Sequence, residues 1–535
     1  MGLLKKMLKR KQKPSSGSSG SMQNTSVQNA PLQADLQENI NQIQEALGYC
    51  PDIMVRKILI NKRQTRAAIV FTDGLIDATA VENSILKPLM LDFPDNSSEE
   101  PPPSAAQDLL EFIRESVLTV GELQELTDLK GALDAVLSGN VVILADGYAQ
   151  GFSVDMAGWE QRGVDEATTE TAIRGPKEGF VEDIRINTVL LRRKIKSPAL
   201  RWETRIIGRV TKTNVAVMYI KGIVNEKILE EVFLRLDSID IDGIMDSGYI
   251  EELIQDETFT PFPTVINSER PDVVAAALLE GRIAILVDGT PFVLMVPALF
   301  IQFFQAAEDY YHRSDVTSLI RLVRYLTFFI TLLGPSFYIA ITTFHQEMLP
   351  TPLLISLAAQ REGVPFPAFV EAFIMEVAFE ILFEAGIRLP RAVGQAVSIV
   401  GTLVLGTAAV DAGLVSAAMV IVVSLTAISS FLVPHFELNI AIRMIRFVYM
   451  ALAATFGLFG IIVGLLALVL HMCSLRSFGV PYMTPLAPFV PSAQKDTFIR
   501  VPRWRMYTRP ILQAGQNKVR QQPPQKAKPK PPDKQ

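Results

Sequence analysis

Two strings decide the fold: LSGNVVILADG at 137–147 and LEGRIAILVDG at 279–289. They are identical at six of eleven positions, with conservative exchanges at Val141/Ile283 and Ala145/Val287. Earlier in the chain AAIVFTDG at 67–74 lies over VAVMYIKG at 215–222, and the two offsets, 148 and 142, nearly agree. Each apolar run of five or six residues stops at a glycine turn, and a helical pattern follows the earlier one in each half. The combination predicts a duplicated α/β or α+β unit of strand, turn, helix and hairpin. One copy lies near 50–160 and the other near 203–297.

The repeat settles the reading of 283–304, IAILVDGTPFVLMVPALFIQFF, which is apolar enough to pass as a membrane helix. Its counterpart at 141–154 belongs to the soluble pattern. Asp288-Gly289 marks a hairpin turn, and Pro291 and Pro297 would interrupt a helix. We therefore expect a buried hairpin at 283–296. An interfacial helix would follow at 298–312, with Phe300, Phe303, Phe304, Tyr310 and Tyr311 at headgroup depth.

Beyond 320 the composition changes. The 535 residues predict three to four domains, but a mean hydropathy of +0.26 averages two unlike halves. Lysine is absent from 228 to 494, and from 392 to 436 the only charged residue is Asp411. Since about 20 apolar residues cross a bilayer, spans are expected at 322–344, 392–410, 412–433 and 447–471. A fifth stretch, 366–387, carries Glu371, Glu376, Glu380 and Glu384. It is either a pore-side helix or an amphipathic helix in the interface. If it spans, the basic C-terminal tail falls on the side opposite the N-domain; if it does not, the pairs Arg388/Arg391 and Arg443/Arg446 do. Neither choice satisfies every loop.

The division expected is a basic, low-complexity N-terminus at 1–48, soluble subdomains at 49–165 and 166–297, a membrane domain at 298–490 and a basic, proline-rich tail at 491–535. A short polar helix is expected around 32–47. The two cysteines, Cys50 and Cys473, offer no disulfide framework, and a net charge of -5 gives no reason to expect nucleic-acid binding. The four histidines lack metal-ligand spacing, and GxSxG, HExxH and Walker patterns are absent, so neither an enzyme nor a cofactor is expected.

On 392–411 a helical step of 100° puts Val393, Val397, Val400, Val404 and Asp411 on one face, with Gln395, Ser398 and Thr402 nearly opposite. An apolar valine ring ending in a carboxylate ring would suit a gated cation pore. Alternatively the valines face lipid and the polar stripe joins neighbouring helices. Glu376, Glu380 and Glu384 recur every four residues, facing either an ion path or the solvated side of an interfacial helix. Arg388, Arg391, Arg443 and Arg446 would anchor helix ends, or pair with Glu384 or Glu437.

Several long blocks carry a resemblance: KSPALRWETRIIGRVTKTNVAVMYIKGIVN at 196–225, PFPTVINSERPDVVAAALLEGRIAILVDGTPFVLMVP at 261–297, HQEMLPTPLLISLAAQREGVPFPAFVEAFIME at 345–376 and EAGIRLPRAVGQAVSIVGTLVLGTAAVDAGLVSAAMVIVVSLTAISSF at 384–431. Over roughly 105–490 the chain resembles the A subunit of GerA-type spore germinant receptors. The resemblance implies an inner-membrane protein of the endospore with a two-part cytoplasmic N-domain. Its implied partners are a transporter-like B subunit that senses the nutrient, a C-subunit lipoprotein and further copies of itself, as a pentamer that forms an ion channel. With that implication Val397, Val400, Val404 and Asp411 become the pore candidates. The competing readings are a nonconducting scaffold and a sporulation-stage member that amplifies ion release.

Overall fold

In the computed structural model the described residues are 30–60, 65–91, 123–158, 167, 170, 172–388, 401, 404–491, 493–510, 515 and 517–521. The chain divides into two compact units, Met1–Gln161 with Ile195–Arg201, and Arg162–Lys194 with Trp202–Gln535.

The first unit contains helix α1 (Leu36–Leu47), strands β1 (Ile53–Ile60) and β2 (Thr65–Thr72), a helical stretch α2 starting with Ala78–Val81 and continuing through Glu82–Leu86 and Lys87–Leu91, strand β3 (Leu123–Leu126), helix α3 (Leu129–Ser138) and strands β4 (Asn140–Ala145) and β5 (Gly151–Asp155). The sheet order is β1-β2-β4-β5-β3, with every pairing antiparallel. Both faces are covered. Ile69, Phe71, Val141 and Ile143 pack with Val81, Ile85 and Leu89 of α2, while Ala68, Val70, Val142 and Leu144 pack with α1 and α3. Burial on both sides explains why these strands read as unbroken apolar runs instead of alternating ones.

The second unit repeats the plan. After helix α4 (Ile184–Lys194) come β6 (Leu200–Ile207), β7 (Thr213–Ile220), α5 (Glu226–Asp237), α6 (Ser247–Ile254), β8 (Ile266–Ser268), α7 (Pro271–Glu280), β9 (Ile283–Val287) and β10 (Val293–Val296). The order β6-β7-β9-β10-β8 matches the first sheet strand for strand. Even the register agrees: Ala67 pairs with Ala145, and Val215, its aligned equivalent, pairs with Val287, the equivalent of Ala145. Gly147 and Gly289 both turn with φ 89°, a value that favours glycine and fixes the two hairpins at the repeated Asp-Gly. The expected hairpin at 283–296 is therefore β9–β10, not a membrane helix.

Two local expectations change. The 32–47 stretch is not part of a loose leader: α1 is capped by Asp35 and buries Leu36, Ile40, Ile43 and Leu47 in the first core. Residues 298–312 form two 3-10 turns, Phe300–Phe304 and Ala307–Tyr310, in place of an interfacial helix. Phe300, Phe303 and Phe304 are buried against protein. Phe304 stacks on Tyr325 at 4.6 Å, and Phe300 packs against Phe328 at 6.0 Å. Burial against protein satisfies the apolar part of an aromatic ring as well as lipid does, so composition did not separate the two.

The helical half comprises α8 (Ser314–Thr343), α9 (Thr351–Arg361), α10 (Ala368–Arg388), a π-turn at Val404–Ala408 running into α11 (Ala409–Asp411), α12 (Ala417–Ser430) and α13 (Phe436–Ser474). Helices α8 and α13 are long and apolar enough to cross a membrane. Straight, the 39 residues of α13 would extend about 58 Å, nearly twice the hydrocarbon thickness. Instead the helix breaks at Gly457, with φ 61° and ψ -141°, and doubles back. A Cβ on Gly460 would collide with the Leu452 carbonyl, and one on Gly464 would lie 2.9 Å from the Tyr449 ring. Residues 449 and 464 would be roughly 22 Å apart in a straight helix. The expected single span at 447–471 is thus part of an antiparallel helical hairpin, and its glycines permit the close approach of the arms.

Both ends of this hairpin return to the second sheet. At its start, Asn267 of β8 donates to Glu437; at its end, Thr260 Oγ1 lies 2.9 Å from His471 Nε2. The short hairpin that follows, Arg476–Ser477 with Val480–Pro481, places Phe478 and Val480 in the second sheet's core. Residues 493–510, expected to be a loose tail, pack back as well: Asp496 pairs with Arg321 at 2.8 Å, and Arg500 donates to the His312 carbonyl at 2.8 Å.

Candidate functional site

Charged side chains inside an apolar bundle demand a reason, and here they lie between α10 and the first arm of α13. The four-residue spacing of Glu376, Glu380 and Glu384 puts them on one face of α10. The bundle grades them from inside to outside, with side-chain exposures of 0%, 25% and 57%. From the facing arm, Arg446 reaches Glu376 at 2.8 Å and Glu380 at 3.0 Å, and Arg443 engages both oxygens of Glu380. The Arg443 guanidinium also lies over the Phe383 ring at 4.0 Å. Glu384 pairs with Arg388 on its own helix, at 2.7 Å.

The inner pair is the costly one. Arg446 and Glu376 are both fully buried, and the Glu376 contact lies off the guanidinium N–H direction. Both Glu376 oxygens, together with Arg446 Nε and Nη1, have no hydrogen-bond partner among the described residues. Two carboxylates facing two guanidiniums leave the cluster formally neutral, which makes its burial tolerable; removing one partner would not be tolerable. A cleft of about 540 Å³, walled by Phe383, Ile387, Phe436 and Met444, opens onto Glu380, Glu384 and Arg443. It gives water or an ion access to the outer charges.

A second buried carboxylate holds the other end of α10. Glu371 accepts from the Ser416 backbone N–H at 2.6 Å and from its hydroxyl, fixing the N-cap of α12. Ser416 Oγ also lies 3.5 Å from the Tyr338 hydroxyl, late in α8. A third network fastens the start of α8: Asp309 takes Arg321 at 3.1 Å and Arg324 at 2.7 Å. Sequence reading missed these contacts because each joins two different elements, whereas local periodicity reports only neighbours on one helix.

The valine stripe has a different standing. Val397 and Val400, with Gln395, Ser398 and Thr402 of the opposite stripe, lie outside the described residues. The backbone of Val404 begins the π-turn Val404–Ala408, and Asp411 ends α11 with its side chain exposed. Of the arginines weighed as partners of Glu384 or Glu437, Arg388 does pair with Glu384, Arg443 and Arg446 belong to Glu376 and Glu380 instead, and Arg391 lies outside the described residues. Glu437 is six residues from Arg443, so the two point to different sides of the helix.

Comparison with known proteins gives a consistent result. The Bacillus/Clostridium GerA spore germination protein family matches residues 41–512. Spore germination protein KA of Bacillus subtilis (strain 168) is 49% identical over 93% of this chain and 90% of its own. Spore germination protein GerLA of Bacillus cereus is 38% identical, over 91% of this chain and 98% of its own. The crystal structure of the N-terminal domain of the A subunit of the Bacillus megaterium spore germinant receptor GerK3 is 41% identical. It covers 51% of this chain and 98% of that one, with a TM-score of 0.41.

Proposed function

The chain belongs to the GerA spore germination protein family, and from that premise we propose that it is the A subunit of a spore germinant receptor and oligomerises into a nutrient-gated cation channel. The observation that carries this reading is the near full-length likeness to spore germination proteins, which extends through the helical bundle as well as the sheets. Its seat would be the inner membrane of the spore, with the N-terminal sheets on the core side. It would work with a transporter-like B subunit that senses nutrient and a C-subunit lipoprotein, and assemble with its own copies as a pentamer. No catalytic step is proposed.

Val397, Val400 and Val404 would form the apolar constriction and Asp411 a carboxylate ring at its mouth, in a geometry that gates by dewetting and concentrates cations. The alternative pore lining is Gln395, Ser398 and Thr402. Of the carboxylates on α10, Glu376 and Glu380 are engaged by arginines, so they favour a role in holding α10 against the hairpin, while Glu384 stands nearer the cleft mouth.

The test is cation flux from liposomes holding the purified chain, with its mass determined in detergent. Val404→Ala should raise resting flux and, in spores, cause premature germination; unchanged flux and a silent phenotype would reject Val404 as the gate. Asp411→Lys should lower cation conductance most at low ionic strength, where fixed charge is least screened. A well-formed oligomer without flux would favour a nonconducting scaffold.

A further inference from the structure

Where the second sheet meets the helical half, a cavity of about 100 Å³ lies within the second unit. Four separate parts of the chain wall it: the α7–β9 corner with Arg282, the 3-10 turns before α8 with Gln302, Gln305 and Tyr310, the N-cap of α13 with His435, and the C-terminal segment with Arg503. It is small and concave, and against an apolar background of Ile266, Val273 and Met295 the side chains of Arg282, Arg503 and Gln302 share one space.

The charges in its wall do not cancel. Glu280 sits between two arginines, 3.5 Å from Arg282 and 3.5 Å from Arg520. Asp272 is held by Arg270 at 3.0 Å and accepts the Tyr311 hydroxyl. Arg503 lies over the Tyr310 ring at 5.2 Å, and no carboxylate pairs with it among the described residues. Arg282 is the decisive group. It is 7% exposed, it lines the cavity, and its Nε has no hydrogen-bond partner among the described residues. A buried guanidinium with an unsatisfied N–H is costly unless something else accepts from it. Beside it, burial and the Arg282 charge push the His435 imidazole down to about 4, so the ring stays neutral and adds no positive charge of its own.

We propose that this cavity binds a small oxyanion, a carboxylate or a phosphate group, held by Arg282 and Arg503 with Gln302 as an uncharged hydrogen-bonding partner. The group could belong to a soluble anion or to an anionic lipid headgroup, since the cavity lies at the base of the helices. The bound oxyanion would accept from Arg282 Nε and draw together the sheet, the lead-in to α8, the cap of α13 and the C-terminal segment. Anything that binds the folded arrangement and not the unfolded chain stabilises it by mass action.

The test uses the full-length chain in nanodiscs and follows its thermal unfolding in three arms. Neutral-lipid discs receive inorganic phosphate or acetate, and discs containing phosphatidylglycerol receive neither. A rise in midpoint with the soluble anions identifies a soluble ligand; a rise only in the phosphatidylglycerol discs identifies a headgroup. In either case Arg282→Gln should weaken the response at least about tenfold in apparent affinity, the loss expected for one charge-assisted hydrogen bond. Arg503→Gln, at an exposed position, should weaken it likewise and serves if the first variant folds poorly. No response in any arm, or an undiminished response in Arg503→Gln together with a folded Arg282→Gln, would overturn the proposal.

Discussion

Arg446→Met should lower the stability of the detergent-solubilised protein by about 3–5 kcal/mol, the range for breaking a buried ion pair from one side. For a cooperative unit of this size that is a fall of roughly 6–20 °C in unfolding midpoint. The cost is not the loss of the Arg446 contacts alone. It comes mainly from stranding the fully buried Glu376, whose oxygens have no hydrogen-bond partner among the described residues. Glu380 is less affected, because it is partly exposed and keeps Arg443. The double variant Glu376→Leu with Arg446→Met should therefore recover most of the loss, since an apolar pair of similar volume replaces a buried ion pair at little or no net cost. A single variant within about 2 °C of the parent, or a double variant no better than the single, would show that the pair does not hold the bundle together.

The same residues show what sequence could and could not reveal. The duplicated sheets were legible because every covered strand is an apolar run closed by a turn, and the Asp-Gly turns at 146–147 and 288–289 leave a signature at fixed offsets. The pairing of Arg446 with Glu376 left none, because the partners are 70 residues apart and local periodicity reports only which side chains share a face. For α1 a helix was expected but its burial was not: Leu36, Ile40, Ile43 and Leu47 keep helical spacing, and glutamine and asparagine between them gave the stretch the composition of a linker. At 298–312 the aromatic residues were seen, yet their chemistry suits a protein core as well as a headgroup layer. Hydropathy was blindest at Gly457, since an average over a window does not register a reversal of direction. The one available signal was the spacing of Gly457, Gly460 and Gly464 within an apolar run.

The reversal at Gly457 bears on topology. Contacts set the direction of each helix within the bundle. Helix α8 starts beside the second sheet, and its C-terminal neighbours Phe344 and His345 lie against Gly457 at the far end. Helix α10 starts at that far end, where Glu371 meets Ser416 near Tyr338, and comes back to Phe436, whose ring stacks on Phe383 at 6.4 Å. Helix α12 runs back the same way, from Ser416 to Phe431, 5.8 Å from Phe383. Helix α10 thus ends at the near end and α12 begins at the far end. Because α8 starts beside the second sheet and the second arm of α13 ends there, an even number of traverses is expected between the two. Arg388, the Arg443/Arg446 pair and the described C-terminal segment with Arg500 and Arg503 then all fall toward the side of the second sheet, which eases the conflict among loop charges that a single span at 447–471 creates. Cys473 tests this directly, because it is exposed at the end of the second arm whereas Cys50 is buried. A membrane-impermeant maleimide should label Cys473 from the same face of the vesicle as an N-terminal tag, and labelling from the opposite face would refute the hairpin. Gly457→Ala should then destabilise the fold by about 2–4 kcal/mol. Its φ of 61° with ψ -141° is a glycine conformation, and an added Cβ would meet His345 at 2.8 Å and Phe344 at 3.0 Å. Unchanged stability in Gly457→Ala would mean that the chain does not turn there.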